Sequence, residues 1–131
     1  VNVGVRGGDR VGAPCFWVSK LMSELEAQCG ALIKAHEYWK QGKGKSQSPA
    51  NALLRFVDVL ARALEQFLTI HPYMDGNGHT ARMLIFAMMA RQGYRPRNWI
   101  VDDKQPYAQA LSDHRGGKHG ALQAFLLKAI A

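Results

Sequence analysis

The sequence is poor in cysteine, in long apolar runs and in acidic residues, and each shortage excludes a class of protein. Its two cysteines, Cys15 and Cys29, form no CxxC pair, so neither a disulfide framework nor a thiolate zinc site is predicted. The longest apolar run, Met83 to Ala90, is far shorter than the ~18 residues that a membrane-spanning helix needs. No signal peptide is visible at the start of the chain. We therefore expect a soluble, cytoplasmic protein with no membrane partner.

Acidic residues are outnumbered by basic ones, 10 Asp and Glu against 17 Lys and Arg, which gives a formal net charge of +7. A basic surface favours polyanionic partners such as nucleotide phosphates, nucleic acid or an acidic protein. The basic side chains are scattered in small groups, within residues 40–45 and 91–97, and no aromatic stripe accompanies them. That pattern does not favour nucleic acid as the partner.

Length and composition fit one folded domain. The chain has 131 residues, of which 47% are hydrophobic and 21% charged, and these fractions are typical of globular proteins. A chain of this size buries about two-thirds of its unfolded surface. It starts at Val1 rather than Met, as a segment of a longer protein would. We predict a single domain over residues 1–131.

Hydrophobic periodicity predicts an α-helical bundle. Apolar residues recur at spacings of three and four, and the first helix is either continuous or broken near Gly30. Ser48 followed by Pro49 predicts an N-cap and a first-turn proline for the second helix. The third helix, which is apolar on most sides and followed by Gly93, is expected to be central. The predicted helices cover residues 18–39, 48–69, 80–91, 106–112 and 120–130.

Residues 1–12 have a different pattern, because Val alternates there with small or polar residues around a Gly-Gly pair. Alternation around such a turn predicts a short β-hairpin. The free edge of the hairpin would present unpaired backbone groups, to which an extended segment of another protein could add as a strand. Val3, Gly4 and Val5 are the candidate docking residues on that edge.

Several familiar site patterns fail on their spacing. The sequence at 44–46 resembles the end of a P-loop, but Trp39 stands where the first glycine of that motif is required. The sequence at 75–77 begins like a calcium loop but lacks the later glycine and the last glutamate. His114 and His119 are five residues apart, a spacing that specifies no zinc site, so we expect both at the surface.

A glycine-rich turn at residues 71–82, HPYMDGNGHTAR, lies between two apolar helices. The first N–H groups of the second helix and its positive dipole end would face a bound anion. Gly76 and Gly78 would let the backbone approach phosphate oxygens closely. Asn77 adds an amide, and Arg82 can bring a guanidinium to the same anion. The turn is therefore a candidate phosphate-binding site.

Two further side chains of the turn suit proton transfer and metal binding. Asp75 is a single carboxylate of the kind that holds a magnesium ion whose other ligands are water and phosphate. His71 can exchange protons near neutral pH. Taken singly, each residue has a structural alternative; Asp75, for example, could simply cap the helix. Together, a base, a metal carboxylate and an anion-binding turn favour a catalytic site.

This turn resembles the motif of the Fic family, HPFx(D/E)GNGRxxR, except that Tyr73 replaces the Phe and His79 replaces the first Arg. The resemblance implies an all-α fold, the Fic helical bundle, in which the hairpin at 1–12 is the target-docking flap. Tyr73 would anchor the loop in the core, as the Phe of the family does. The stretch 107–111 is similar to the later YxxxL pattern of the family. The helices that precede the flap in the family would be missing from this chain.

The resemblance implies an enzyme that transfers AMP from ATP to a Ser, Thr or Tyr hydroxyl of a target protein and releases pyrophosphate. By that resemblance, His71 would be the base that deprotonates the hydroxyl, and Asp75 would bind Mg²⁺. Arg82 would clamp the terminal phosphates, while Tyr107 would lie either near the adenine or in an ordinary helix contact. The implied nucleotide-binding residues are Gly76, Asn77, Gly78, His79, Arg82 and Tyr107.

Departures from the family keep alternatives open. His79 lowers the charge of the site by one unless it is protonated, so a catalytically weak binding module is one alternative. Transfer of another phosphate-containing group is a second, although Gly78 argues against similarity to the Doc kinases, which carry a lysine there. No Ser or Thr has the (S/T)xxxE(G/N) spacing of the inhibitory helix in the family. Inhibition would then need a separate antitoxin-like protein, and the role could be that of a toxin or of an effector delivered into a host cytosol.

Overall fold

The computed structural model describes residues 12–41, 48–74, 76–96 and 106–130. The helices in these ranges are α1 (Cys15–Lys40), α2 (Pro49–Ile70), α3 (Asn77–Arg91), α4 (Tyr107–Arg115) and α5 (Gly120–Ile130). These ranges contain no strand, so the all-α prediction is confirmed. The predicted hairpin, with Val3, Gly4 and Val5, lies outside the described residues except for Gly12. None of the described helices is long and apolar enough to cross a membrane.

Helix α2 is the centre of the bundle, because α1, α3, α4 and α5 all pack against it. Apolar side chains surround most of its circumference, and Phe56, Leu60 and Leu64 are at most 1% exposed. The prediction that the third helix is central is wrong. Within the described residues α3 packs mainly on α2, and it leaves Met83 71% exposed and Phe86 39% exposed. An apolar circumference does not by itself reveal which faces the neighbouring helices cover.

Helix α1 is continuous, which decides between the two alternatives left by the sequence. It begins at Cys15 rather than near residue 18 and runs through Gly30 without a break. A side chain at Gly30 would meet no described atom within 4 Å, so no close packing requires glycine there. The buried face of α1 is narrow and consists of Leu25, Leu32 and His36.

Both ends of α2 follow from local sequence. Ser48 Oγ accepts a hydrogen bond from the Asn51 backbone N–H at 3.1 Å, and Pro49 occupies the first helical position; both predictions are confirmed. At the other end, His71 adopts a left-handed conformation, with φ 52° and ψ 61°. Pro72 disfavours the helical conformation in the residue before it. The chain therefore leaves α2 at His71, where the motif begins.

The remaining helices complete the bundle around α2. Helix α3 begins inside the glycine-rich turn, at Asn77, and Gly93 follows its C-cap with a left-handed φ of 88°. Helices α4 and α5 pack against each other and against α2. Their buried contacts include Tyr107 and Leu122, both 0% exposed. This packing brings the first residue of α4 close to the first turn of α3.

Candidate active site

The motif forms the junction between α2 and α3. His71 is the left-handed C-cap of α2, and Gly76 is the left-handed N-cap of α3, with φ 76°. His71 is the one non-glycine residue with positive φ in the part of the chain that the structure describes. Such residues are uncommon, and they cluster where function constrains the backbone. Asp75 lies outside the described residues.

The side chain of Asn77 holds this junction together. Its Oδ1 accepts the Tyr73 backbone N–H at 3.0 Å, and its Nδ2 donates to the Tyr73 carbonyl at 2.7 Å. These two bonds fix which amide atom is the nitrogen, because an N–H needs an acceptor and a carbonyl needs a donor. Asn77 is only 4% exposed. Its removal would therefore leave backbone groups of the loop without these partners.

The same amide orients His71. Its Nδ2 lies 3.2 Å from His71 Nε2, and an amide NH₂ can only donate, so Nε2 accepts. The neutral His71 ring therefore carries its proton on Nδ1. The sequence pattern indicates anion binding as the only role of Asn77, so this orienting role is new in the structure. Spacing could not have revealed it, because the contact depends on the left-handed turn at His71.

The first turn of α3 offers backbone donors. Thr80 is the first residue whose N–H is bonded within the helix, to the Gly76 carbonyl at 3.0 Å, and its hydroxyl donates to the same carbonyl at 2.9 Å. Helix geometry leaves the N–H groups of residues 77–79 without intrahelical acceptors. No described side chain caps this end. The open donors and the positive end of the helix dipole suit an anion.

His79 lies in this first turn and is exposed. The structure puts its backbone N–H among the open donors of α3. Whether its side chain contacts phosphate stays a prediction.

Arg82 folds back toward the start of α3 and is buried, with 3% of its surface exposed. A Cβ added at Gly78 would lie 2.9 Å from Arg82 Nη1, which is too close for a real Cβ contact. A side chain at residue 78 would therefore require the end of the flexible Arg82 side chain to move. The Arg82 guanidinium also lies over the ring of Tyr107, with Cζ 5.6 Å from the ring centroid. The structure thus joins three predicted site residues.

The expectation that Tyr73 anchors the loop in the core is wrong. Its side chain is 51% exposed, and its ring centroid lies 6.4 Å from that of Phe67. The backbone of Tyr73, held by Asn77, is what fixes the loop. The aromatic ring is therefore free to present its hydroxyl to water.

The segment that follows the predicted hairpin is attached next to His71. The Ala13 backbone N–H donates to the Ile70 carbonyl at 3.1 Å, and Ile70 directly precedes His71. Val3, Gly4 and Val5 themselves lie outside the described residues, so their docking role stays a prediction.

His114 is buried rather than at the surface, so that expectation is wrong. It is 1% exposed, its Nδ1–H donates to Glu65 Oε2 at 3.0 Å, and its ring stacks on His119 with centroids 4.1 Å apart. Burial lowers the pKa of His114. No group of three His, Cys, Asp or Glu side chains among the described residues could hold a metal ion.

His36 is a second buried histidine, and it belongs to none of the motifs in the sequence. Its Nδ1 lies 2.9 Å from Gln92 Oε1 and its Nε2 lies 2.9 Å from the Tyr94 hydroxyl. An amide oxygen only accepts, so Nδ1 donates and Nε2 accepts the hydroxyl proton. The ring packs against Phe56 with centroids 4.2 Å apart, and burial lowers the pKa of His36.

Comparison with known proteins gives consistent matches. A sequence model of the Fic/DOC family matches residues 2–89, which include the whole turn from 71 to 82. The protein adenylyltransferase Fic of Drosophila virilis is 34% identical over 95 residues, which cover 72% of this chain and 18% of that protein. Its namesake in Nematostella vectensis is 31% identical over 74 residues, which cover 56% of this chain and 17% of that protein. The chain therefore spans less than a fifth of the length of these relatives.

The family match covers more than half of the chain. It includes the junction between α2 and α3. The chain belongs to the Fic/DOC family.

Proposed function

We propose that this domain transfers AMP from ATP to a hydroxyl side chain of a target protein and releases pyrophosphate. The observation that carries the proposal is the pairing of a His71 ring oriented through Nε2 with an N-terminus of α3 that no described side chain caps. A hydroxyl that attacks a phosphate must lose its proton, and the negative charge on the phosphate must be stabilised. The proton acceptor and the neighbouring backbone donors would serve these two purposes. The names of the adenylyltransferase relatives support the same reaction.

His71 is the proposed general base. In the resting arrangement its Nε2 lone pair accepts the Asn77 amide at 3.2 Å, a long bond that an incoming hydroxyl can replace. The hydroxyl would give its proton to Nε2 while its oxygen forms a bond to the α-phosphorus. The bond from the α-phosphorus to the bridging oxygen breaks, and pyrophosphate leaves with the electron pair. Apo hydrogen bonds of catalytic groups often tighten only once substrate is bound.

The charge that develops on the α-phosphate would be stabilised by backbone donors. The N–H groups of residues 77–79 have no intrahelical acceptor, so they can bind phosphate oxygens without first breaking a helix bond. Fixed donors of this kind stabilise a transition state because they need no reorganisation. Arg82 would bind the terminal phosphates, to which a guanidinium can make two parallel hydrogen bonds.

Magnesium would enter this site with the nucleotide. The described residues hold no group of three protein ligands, and Mg²⁺ commonly takes one or two carboxylates while phosphates and water supply the rest. Asp75 is the proposed carboxylate, and the ion would neutralise charge on the phosphates when bound. The ion would then be shared between Asp75 and the phosphates of the nucleotide.

The target would dock along the edge formed by Val3, Gly4 and Val5. The backbone bond between Ala13 and Ile70 ties the following segment to the end of α2. An extended target segment added to that edge would pass close to His71. A separate inhibitory protein is a further proposed partner, since residues 1–131 lack the inhibitory pattern of the family.

A weak or silent binding module is the second candidate, favoured by the exposed His79 in place of arginine. ATP labelled at either the α- or the γ-phosphate separates the candidates when it is incubated with the protein and a cell extract. Protein-bound α-label without γ-label indicates AMP transfer. Protein-bound γ-label indicates phosphate transfer, and no bound label indicates a binding module.

Two variants make the labelling experiment specific. His71→Ala should lower α-label transfer by about 100- to 10,000-fold, the usual contribution of a general base. His119→Ala is the matched control, because that residue lies outside the junction, and it should transfer label at the wild-type rate. Equal transfer by His71→Ala and wild type would rule out His71 as the base.

A further inference from the structure

We propose that Tyr107 is a positioning residue, which holds the Arg82 guanidinium in place for the terminal phosphates of the nucleotide. The inference rests on the proposed function, in which Arg82 binds those phosphates. It assigns to α4 a part in nucleotide binding that does not require any contact between Tyr107 and the nucleotide.

The ring of Tyr107 contacts the Arg82 guanidinium. Arg82 Cζ lies 5.6 Å from the centroid of the Tyr107 ring, within the distance at which a cation is attracted to an aromatic face. Tyr107 is 0% exposed, and Phe125 of α5 packs against it with ring centroids 5.6 Å apart. The contact with Phe125 and the burial of the ring thus restrict its movement.

The backbone at Gly78 is a second neighbour of the guanidinium. A Cβ at residue 78 would lie 2.9 Å from Arg82 Nη1, 3.3 Å from Nη2 and 3.4 Å from Cζ, so the guanidinium lies directly against the backbone of the first turn of α3. This position is next to the open N–H groups that would bind the α-phosphate. Arg82 is 3% exposed and packed by both neighbours, so its rotamer freedom is restricted before the nucleotide binds and less entropy is lost on binding.

The contact is more than ordinary helix packing. Helix α4 packs mainly on α2 and α5 in the described part of the chain, and Tyr107 reaches α3 through Arg82. Removal of the ring should therefore disturb Arg82 while leaving most of the α4 contacts in place. Leu111, which lies one turn further along α4 and is 6% exposed, offers a matched core position that carries no cation contact in the described structure.

The test compares the binding of ATP and of AMP to the full chain. Tyr107→Leu should weaken ATP binding by about 3- to 30-fold, the range of a cation–π contact, and should leave AMP binding unchanged because AMP has no terminal phosphates. Tyr107→Phe keeps the ring and should bind ATP like wild type. Leu111→Ala should lower stability without changing the ratio of ATP to AMP affinity. In an Arg82→Met background, Tyr107→Leu should have no further effect.

Gly78→Ala tests the contact with the α3 backbone and replaces Tyr107→Leu if that variant does not fold. The added methyl should displace Arg82 and weaken ATP binding more than AMP binding, and this excess should vanish in the Arg82→Met background. Equal losses for ATP and AMP, or an undiminished loss in the Arg82→Met background, would overturn the inference alone. A wild-type chain that binds no ATP would overturn the proposed function and this inference with it.

Discussion

The two ends of α3 each contact a histidine, and the two histidines are used in opposite ways. At the N-terminal end, His71 is half-buried, strained to a positive φ and, among the described residues, bonded through one ring nitrogen to the Asn77 amide. At the C-terminal end, His36 is fully buried, and both ring nitrogens are bonded within the protein, to Gln92 and Tyr94. The first arrangement leaves capacity for a ligand, whereas the second leaves none.

The surrounding backbone shows the same contrast. Donors at the start of α3 have no intrahelical acceptor, but the end of α3 is closed by Lys40, whose Nζ donates to the Gln92 carbonyl at 3.1 Å. A cation at a helix C-terminus is also favourable to the dipole. Buried polar groups in proteins are normally all paired. Among the described residues, pairing is therefore complete at the C-terminal end of α3 and incomplete at the N-terminal end, and the proposed site depends on this contrast.

The largest expected effect is that of replacing His71, which should lower transfer without lowering stability. His71→Gly should lower AMP transfer by about 100- to 10,000-fold, because the base is lost. Its stability should not fall and could rise by about 0.5–1 kcal/mol, because glycine adopts positive φ without strain. Transfer of α-label and urea unfolding measure the two effects. A variant that is inactive because it is unfolded would contradict the assignment.

Replacing His36 should instead lower stability and leave transfer unchanged. His36→Ala should lower the free energy of unfolding by about 2–4 kcal/mol, because it leaves a cavity and deprives Gln92 and Tyr94 of their buried partner. Transfer per folded molecule should stay close to wild type. Urea unfolding and α-label transfer at a temperature where the variant is folded check both statements. A large loss of transfer in a stable His36→Ala protein would show that the two ends of α3 are coupled.

A smaller effect concerns pH. Burial lowers the pKa of His36 in the folded chain, and the nearby Lys40 lowers it further, while Gln92 and Glu37 act in the opposite direction. The unfolded chain therefore binds a proton more readily, so stability is complete above the unfolded pKa of about 6.5 and falls as the pH drops below it.

Urea unfolding at about pH 7.5 and about pH 5.5 measures this dependence. His36→Gln should reduce the difference between the two values, while the lowered pKa of His114 should leave a remainder. An identical pH dependence in wild type and His36→Gln would show that His36 is not the titrating group.

Local sequence was sufficient for the two ends of α2 and for the content of the motif, whereas α1 begins at Cys15 and α3 at Asn77, each three residues before its predicted start. The cap at Ser48, the end of α2 at His71 and the glycine-rich start of α3 depend on residues within a few positions of one another, so a linear pattern can predict them. The approach of Gly78 to Arg82 is also local, since the two residues are four apart on one helix. That the Arg82 guanidinium lies against Gly78 is nevertheless evident only from the folded structure.

Long-range contacts were not predictable in the same way. No pattern around Tyr73 indicates that its ring is exposed, because the bonds from Asn77 that hold its backbone form only in the folded turn. The sequence also suggested that His114 and His119 are both surface residues, although Glu65 of α2 holds His114 in the interior. Partners such as His36 and Gln92 are separated by 56 positions, so no periodicity links them.

By itself, therefore, the sequence determined that this chain is helical, where α2 begins and ends, and which turn carries the motif that resembles that of the Fic family. Only the tertiary structure decided that α2 rather than α3 is central, that Asn77 orients His71, and that Tyr107 contacts Arg82. The physical reason is that capping and periodicity act within a few residues, whereas burial and side-chain orientation depend on which helix faces are covered by distant parts of the chain.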